Sequence, residues 1–286
     1  MVLDRAKAPD LSDAVLVLVG HGSTQNADSA RPVYQHAEQL RARKIFAEVL
    51  ECFWKIEPGI PTVIGKVSAP RIFLVPLFIS EGYFTQEMIP RELGLCAPGQ
   101  SGFSPVQQRG GQTLFYCAPV GTHPAMREIV LLRATEVVEQ HPFPGAPKPS
   151  EIALFLVGHG TEQNANSRQA VERQVEIIRQ RKEYAEVHAV FLEEEPRVGD
   201  CYKLAQAKNI VVVPFFISEG MHSREDIPLL LGESKANVQQ RIKENLPTWR
   251  NPTERRGKRV WYSPSVGTAP RISDVILERV KEMAQH

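Results

Sequence analysis

Two histidines and one carboxylate stand where this sequence could hold a divalent metal ion. His159 lies between two glycines directly after an apolar run, Glu193 follows a second apolar run, and His222 follows a third. Imidazole and carboxylate suit first-row divalent ions, and three protein ligands leave coordination positions open for exchange. The pattern predicts a catalytic metal site at these residues. Alternatively, His159 is a core or capping residue, Glu193 a solvated charge and His222 a helix start.

The elements that must position these residues alternate between strand and helix patterns. Four apolar runs predict strands at 152–157, 187–192, 209–217 and 259–263. Between and after them, helices are predicted at 164–182, 198–207, from about 223, and at 272–284. Alternating strands and helices indicate a parallel sheet, in which ligands bind at the carboxyl ends of the strands. All three candidate ligands follow such strand ends.

The chain is an internal duplication. Segments 15–93 and 153–231 align without a gap at an offset of about 138 residues, and roughly 34 of 79 paired positions are identical. The register slips only in polar connectors at 98–112 and 247–258, and a proline-rich stretch at 141–150 joins the halves. We predict an α/β protein of two tandem domains, residues 1–143 and 151–286. Each is expected to be a four-stranded parallel sheet flanked by helices, with a cleft between the two.

The first half keeps the scaffold but not the candidate ligands. His21 matches His159, whereas Lys55 stands where Glu193 is and Phe84 stands where His222 is. Scaffold positions agree, because Phe53, Pro58 and Gly82 match Phe191, Pro196 and Gly220. This comparison predicts a metal site in the second half and a degenerate one in the first.

Composition excludes several other classes of function. The net charge is +1, so the chain has no overall basic field for nucleic acid or an anionic membrane. The N-terminal residues lack the apolar core of a signal peptide, and we expect a cytoplasmic monomer. The cysteines (Cys52, Cys96, Cys117 and Cys201) show no C-x-x-C spacing, so no iron–sulfur cluster or thiolate zinc site is expected.

Three motifs carry a resemblance to a known family. They are V-G-H-G-T at 157–161, F-L-E-E-E-P at 191–196 and P-F-F-I-S-E-G-M-H-S-R-E-D-I-P at 214–228. Together they resemble the sirohydrochlorin cobaltochelatases (CbiX-like), class II tetrapyrrole chelatases, in their long duplicated form. The resemblance implies a tetrapyrrole cleft between two lobes and ATP-independent metal insertion in cobalamin or siroheme biosynthesis. It also implies a His/Glu/His metal site, here His159, Glu193 and His222, and leaves His21 either facing the substrate or without a role.

The residue types fit this chemistry. Insertion requires the ion to lose water and the macrocycle to lose two pyrrole protons, which an imidazole or the neighbouring carboxylate can accept. The divalent ion is then a co-substrate, Co²⁺ above all, or Fe²⁺ or Ni²⁺. Because a sirohydrochlorin-type substrate carries several carboxylates, Arg168 and Arg224 are candidates for binding it. Surface solvation is the other explanation for both arginines.

Other functions remain open at this point. The same ligands suit a ferrochelatase or a nickel chelatase, because imidazole and carboxylate do not discriminate among these ions. A non-catalytic carrier would bind metal and macrocycle without inserting one into the other. A histidine-dependent hydrolase is disfavoured, since no arginine precedes either Gly-His-Gly and no G-x-S-x-G elbow occurs.

Overall fold

A computed structural model describes residues 9–24, 26–96, 102–160 and 165–285, with residue 27 described by its backbone only. It contains two sheets with the same topology. The first has the strand order β2-β1-β3-β5-β4, and its strands are β1 (Ala14–Gly20), β2 (Glu48–Phe53), β3 (Arg71–Pro76), β4 (Val106–Arg109) and β5 (Gln112–Tyr116). The second has the order β7-β6-β8-β10-β9, with β6 (Ile152–Gly158), β7 (Glu186–Phe191), β8 (Asn209–Pro214), β9 (Thr253–Arg255) and β10 (Lys258–Tyr262).

Helices connect the parallel strands, as predicted. The α-helices are α1 (Arg31–Ala42), α2 (Ile60–Ile64), α3 (Ile89–Glu92), α4 (Met126–Gln140), α5 (Ala165–Arg179), α6 (Cys201–Leu204), α7 (Ile227–Leu230), α8 (Lys235–Lys243) and α9 (Ile272–Met283). A π-helical turn precedes α3 at Phe84–Met88 and another precedes α7 at His222–Asp226. Short 3₁₀ turns occupy Ala27–Ser29, Val120–Thr122, Pro149–Glu151, Val198–Asp200 and Val266–Thr268. In the described part of the chain, no helix combines the length and apolar character needed to cross a membrane.

The predicted strand count needs one correction. Each sheet has a fifth strand, β4 or β9, which runs antiparallel to its neighbour, so the sheets are not purely parallel and four-stranded. Both segments lie in the stretches predicted to be polar connectors, 98–112 and 247–258. Their hairpin turns, Gly110-Gly111 and Arg256-Gly257, have positive φ at both positions, as tight two-residue hairpins require. Because these edge strands are short and polar, the hydrophobic pattern did not reveal them.

The apolar sequence of the central strands follows from their position. Every residue of β1 and of β6 is buried, because each strand has a neighbour on both sides and helices on both faces. Each sheet packs its own apolar cluster, one built on residues such as Val17, Leu74 and Ile89, the other on Phe155, Val212 and Ile227. The core therefore fixes the strand ends, from which the candidate site residues emerge.

The two compact units of the chain do not coincide with the two sequence repeats. One unit contains the residues up to His123 together with those from Pro270 onward, and the other contains Pro124–Ala269. Helix α4 of the first repeat therefore belongs with the second sheet, and α9 of the second repeat belongs with the first sheet. The predicted boundary between 1–143 and 151–286 describes the repeat, and it stays a prediction.

An arginine anchors each exchanged helix. Arg279 of α9, 7% exposed, donates to the carbonyl oxygen of Pro119 (3.0 Å), to Thr122 Oγ1 (2.7 Å) and to Glu282 (2.8 Å). Arg133 of α4 donates in the same way to Thr268 Oγ1 at 2.8 Å. Both threonines lie in Val-Gly-Thr turns that follow the last parallel strand of their sheet. The same contact thus recurs in both units.

Replacing Arg279 with methionine should lower the free energy of unfolding by about 3 kcal/mol. Methionine fills much of the volume but removes the charged hydrogen bonds that the buried guanidinium donates to Pro119, Thr122 and Glu282, and such bonds contribute more than neutral ones. Urea denaturation followed by circular dichroism measures the change. Arg271→Met is the matched control, because Arg271 is 60% exposed and its contact to Asp274 is long, at 3.8 Å. Similar small losses in both variants would contradict the anchoring role.

Candidate functional site

The Gly-His-Gly turn after β6 is shaped by close packing. A Cβ at Gly158 would lie 2.6 Å from the Val171 side chain, so only glycine lets α5 approach the strand end. Gly160 has φ +64°, a conformation that glycine adopts without strain. His159 lies between these two glycines, at the carboxyl end of β6. Thr161, which completes the motif, and residues 162–164 lie outside the described residues.

The loop after β7 is tied to this turn by its backbone. The amides of Leu192 and Glu193 both donate to the carbonyl oxygen of His159, each at 3.1 Å. This pairing carries the Glu193 carboxylate to 3.7 Å from Nδ1 of His159. Two of the three predicted residues are therefore brought together by backbone hydrogen bonds between adjacent loops.

The third residue, His222, begins the π-helical turn after β8. Tyr262 supports this turn from the core, because its hydroxyl donates to the carbonyl oxygen of Ser223 at 2.6 Å. Ser223 in turn donates from Oγ to the carbonyl of Gly220 at 3.2 Å. Single π-helical turns are often found at functional sites. Here the turn directs the His222 side chain toward the carboxyl end of β6.

The structure brings the two histidines into contact. Their ring centroids lie 4.8 Å apart with an interplanar angle of 85°. All three side chains are accessible, His159 at 35%, Glu193 at 57% and His222 at 47% exposure. Within the described ranges, no three His, Cys, Asp or Glu side chains are already arranged around one ion position. The juxtaposition is therefore observed, while joint coordination by His159, Glu193 and His222 stays a prediction.

Carboxylates face the same ring nitrogen of both histidines. Nδ1 of His222 is 2.6 Å from Asp226 Oδ2, and Nδ1 of His159 faces Glu193 Oε2 at 3.7 Å and the carbonyl oxygen of Gly160 at 3.3 Å. A carboxylate on one imidazole nitrogen fixes the ring and its tautomer when the other nitrogen binds a metal. In this arrangement Nε2 is the nitrogen through which His222 would hold an ion, whereas Glu193, at 3.7 Å, is too distant to form a hydrogen bond with His159.

Asp226 is a site residue that the sequence analysis missed. A signal was present in the repeat, because Met88 stands where Asp226 is and Phe84 stands where His222 is. The carboxylate and the imidazole are thus absent together from the first half, although Ile-Pro follows in both halves. This joint replacement is expected if Asp226 serves His222 rather than the fold.

Replacing Asp226 with methionine should weaken Co²⁺ binding by about tenfold to 100-fold, the usual effect of losing a carboxylate behind a metal-binding histidine. The fold should be retained, because Met88 occupies the same position of the equivalent π-helical turn. Isothermal titration and the visible spectrum of bound Co²⁺ measure the effect. Asp226→Glu should restore part of the affinity. Glu225→Gln, in the same turn, is the matched control, and equal losses in both variants would argue against a specific role.

The two predicted substrate-binding arginines differ in their surroundings. Arg168 donates to Glu172 (2.8 Å), to Glu194 Oε2 (3.0 Å) and to the carbonyl of residue 195, and it stacks on Phe191. The hydrogen bond that Arg168 donates to Glu194 contributes most to raising the pKa of this guanidinium. Through Glu194 and the carbonyl of residue 195, Arg168 secures the loop that carries Glu193. Arg224 is half-buried in the π-helical turn beside His222. A role in substrate binding stays a prediction for both.

Cys201 and Cys52, one in each unit, are buried thiols. Cys201 is fully buried, and burial raises the pKa of its thiol to about 12; Cys52 is buried in the other unit, and its pKa is raised to about 12 for the same reason. Both remain protonated at neutral pH and pack as small apolar side chains. Imidazole and carboxylate are therefore the donors that the strand ends offer.

The first unit repeats this framework with different side chains. His21 again lies between two glycines, its carbonyl accepts from the Lys55 amide at 2.9 Å, and Gly22 has φ +70°. Phe84 contacts His21 with ring centroids 4.7 Å apart and an interplanar angle of 84°. These values nearly equal those of the His159 and His222 pair, so Phe84 takes the place of His222. With Lys55 in place of Glu193, these strand ends of the first unit keep His21 but neither of the other two candidate ligands.

Comparison with known proteins agrees with the internal duplication. The CbiX family model matches twice, over residues 15–137 and 153–283. A probable sirohydrochlorin cobaltochelatase from Halobacterium salinarum is 38% identical over 93% of this chain and 90% of its own length.

Two solved structures have the same fold. A multi-domain protein from Deinococcus radiodurans, described as structurally similar to chelatases, is 30% identical with a TM-score of 0.73. The match covers 95% of this chain but 54% of that protein, so the present chain spans about half its length. SirB from Bacillus subtilis, solved with Fe³⁺, is 20% identical with a TM-score of 0.67 over 95% of each chain, which shows likeness of fold. On the two family matches and the full-length relative, the chain belongs to the CbiX family.

Proposed function

We propose that this protein inserts a divalent metal ion, Co²⁺ in the first place, into sirohydrochlorin or a closely related tetrapyrrole without ATP. The observation that carries the proposal is the contact between His159 and His222 at adjacent strand ends, with Glu193 alongside. The Halobacterium relative, similar along nearly the whole chain, is named a probable cobaltochelatase for sirohydrochlorin, which supports the same substrate here.

The geometry suits transfer of an ion rather than permanent storage. Two neutral imidazoles bind a first-row divalent ion firmly enough to replace water and leave positions open for the pyrrole nitrogens. The site is accessible to solvent, so an ion and a macrocycle can both reach it. Each pyrrole proton released on insertion needs an acceptor, and the exposed Glu193 carboxylate is the nearest anion to His159.

The identity of the ion follows from the relatives rather than from the ligands. Imidazole and carboxylate bind Co²⁺, Fe²⁺ and Ni²⁺ alike, so the donor set alone does not choose among them. The name of the Halobacterium relative favours cobalt, whereas SirB was solved with Fe³⁺. Co²⁺ is therefore the first ion to test, and Fe²⁺ and Ni²⁺ are the alternatives.

The test is an anaerobic insertion assay with the purified full chain, metal-free sirohydrochlorin and each ion separately, without ATP. Absorbance of the tetrapyrrole reports insertion, and the spontaneous rate without protein is subtracted. We expect insertion well above that rate with at least one ion, and we expect His159→Asn to abolish it. A protein that binds both ion and tetrapyrrole but gives only the spontaneous rate would be a carrier, and the proposal would be wrong.

Replacing Glu193 with glutamine separates two roles for this carboxylate. If Glu193 ligates the ion, Co²⁺ affinity and insertion should fall together, because the amide keeps the shape but loses the charge. If it accepts the pyrrole protons, Co²⁺ affinity should persist while turnover collapses. Titration of Co²⁺ without tetrapyrrole, followed by the insertion assay, measures both quantities. Glu195→Gln in the same loop is the control, and equal behaviour of both variants would remove Glu193 from the site.

A further inference from the structure

The first unit carries a group of aromatic rings where the second carries its candidate metal site. Phe84 contacts His21 (4.7 Å between centroids) and Trp54 (4.9 Å), while Trp54 lies 5.3 Å from His21 and Phe78 lies 6.1 Å from Phe84. We call His21, Trp54, Phe78 and Phe84 the aromatic cluster. The aromatic cluster offers a metal ion only one imidazole. The cluster is therefore suited to a different kind of ligand from the metal ion expected in the second unit.

The aromatic cluster is more than a replacement for the two candidate ligands that the first unit lacks. Phe84 alone occupies the position of His222, as the matching ring geometry shows. Trp54 stands instead where the second unit has Leu192, a buried side chain that is 7% exposed. The larger indole is only half-buried, so the first unit presents an extra aromatic surface that its packing did not require.

The surface around the aromatic cluster is accessible and carries a positive charge. All four members are half-buried, and Tyr83 extends the surface with a ring that is 54% exposed and 5.7 Å from Phe84. Lys55 is exposed, and its Nζ lies 4.8 Å from the centre of the Trp54 ring. Contiguous aromatic rings at a surface, unlike single exposed ones, are typical of a binding site.

These features fit one class of ligand, a flat conjugated ring system with acidic substituents. Aromatic side chains stack on such a ring, and a nearby ammonium group pairs with a carboxylate at its edge. The location is the carboxyl end of a parallel sheet, where α/β proteins bind their ligands. The tetrapyrrole of the proposed reaction has this chemistry.

We infer that the aromatic cluster binds the ring system of the metal-free tetrapyrrole, with Lys55 pairing with one of its carboxylates. This inference rests on the proposed function for the choice of ligand. The two units then have different tasks. The second unit binds the ion, and the first, which has aromatic rings in place of ligands, binds the macrocycle.

The experiment measures binding of metal-free sirohydrochlorin, with no metal ion present, through its absorbance and fluorescence. Trp54→Leu, which installs the residue of the second unit, should weaken binding about tenfold, the usual effect of losing one stacking ring. Trp54→Phe should keep most of the affinity because it keeps a ring. Lys55→Met should weaken binding at low salt, and the difference from wild type should shrink as salt is added.

Matched controls separate this site from general effects. Phe143→Leu removes another ring that is 54% exposed, and Lys66→Met removes another exposed lysine of the first unit; neither should change tetrapyrrole affinity. Co²⁺ affinity without tetrapyrrole should be unchanged in Trp54→Leu. Unchanged tetrapyrrole affinity in both Trp54→Leu and Phe84→Leu would overturn the inference while leaving the proposed function intact. Failure of the wild-type protein to bind sirohydrochlorin at all would overturn both.

Discussion

Replacing His222 with phenylalanine should abolish chelatase activity and weaken Co²⁺ binding by about 100-fold or more, because the ion loses one of its two imidazoles. The variant should fold normally. The first unit already contains this combination, with Phe84 against His21 at nearly the same centroid distance and angle as His222 against His159. The substitution therefore copies a packing arrangement that the scaffold tolerates.

The measurement is Co²⁺ titration by calorimetry, with the insertion assay and thermal unfolding on the same preparation. His188→Phe is the matched control, because His188 also pairs with a carboxylate, Glu186 at 3.1 Å, on an edge strand of the same unit. It should leave Co²⁺ affinity unchanged. Near-normal affinity in His222→Phe would remove His222 from the site and leave His159 without its proposed partner.

The sequence predicted most of the fold because the buried strands carry strong signals. The run 152–157 is apolar throughout and the run 209–217 is apolar after Asn209, as is typical of strands covered on both faces. The observed strands fall within or close to the predicted ones. The antiparallel strands β4 and β9 were missed because three or four mostly polar residues carry no such pattern. Two consecutive residues of positive φ make their turns, and Gly110-Gly111 was the available clue.

The exchange of terminal helices could not be predicted in the same way. Helices α4 and α9 follow equivalent strands and both present an apolar face, so either could cover either sheet. The choice depends on contacts distant in sequence, such as Arg279 with Pro119 and Arg133 with Thr268. Local periodicity reports that a helix has a buried face, but it does not report which sheet buries it.

Part of the candidate site could likewise be predicted from the sequence, and part could not. The meeting of His159, Glu193 and His222 was predictable, because the ends of adjacent parallel strands share one edge of the sheet. Asp226 was not identified, because the predicted helix began at about residue 223, after His222, and the i, i+4 spacing of the two side chains was not considered. The aromatic cluster was overlooked because Phe84 was interpreted only as the replacement of a ligand and Trp54 was not considered. Only the ring contacts show that Trp54 and Phe84 form one surface with His21.

A metal site should be recoverable in the first unit by reversing the differences between the repeats. Lys55→Glu, Phe84→His and Met88→Asp together give the first unit the equivalents of Glu193, His222 and Asp226, and His21 is already present. The backbone of the first unit already has the arrangement that these side chains need. The Lys55 amide pairs with the His21 carbonyl, and Phe84 starts a π-helical turn. We expect the triple variant to bind a second equivalent of Co²⁺ with an affinity within about tenfold of the natural site.

The decisive version of this experiment introduces the three changes into the His222→Phe background, where the natural site is disabled. Co²⁺ binding should then return with a stoichiometry of one, and Phe84→His alone should restore less of it because neither carboxylate accompanies the imidazole. The same variant should bind metal-free sirohydrochlorin more weakly, since it has lost one ring of the aromatic cluster and the charge of Lys55. No recovery of Co²⁺ binding in a folded triple variant would show that the strand-end framework alone does not place these side chains for an ion. The assignment of the natural site to His159, Glu193 and His222 would then lack its internal support from the repeat.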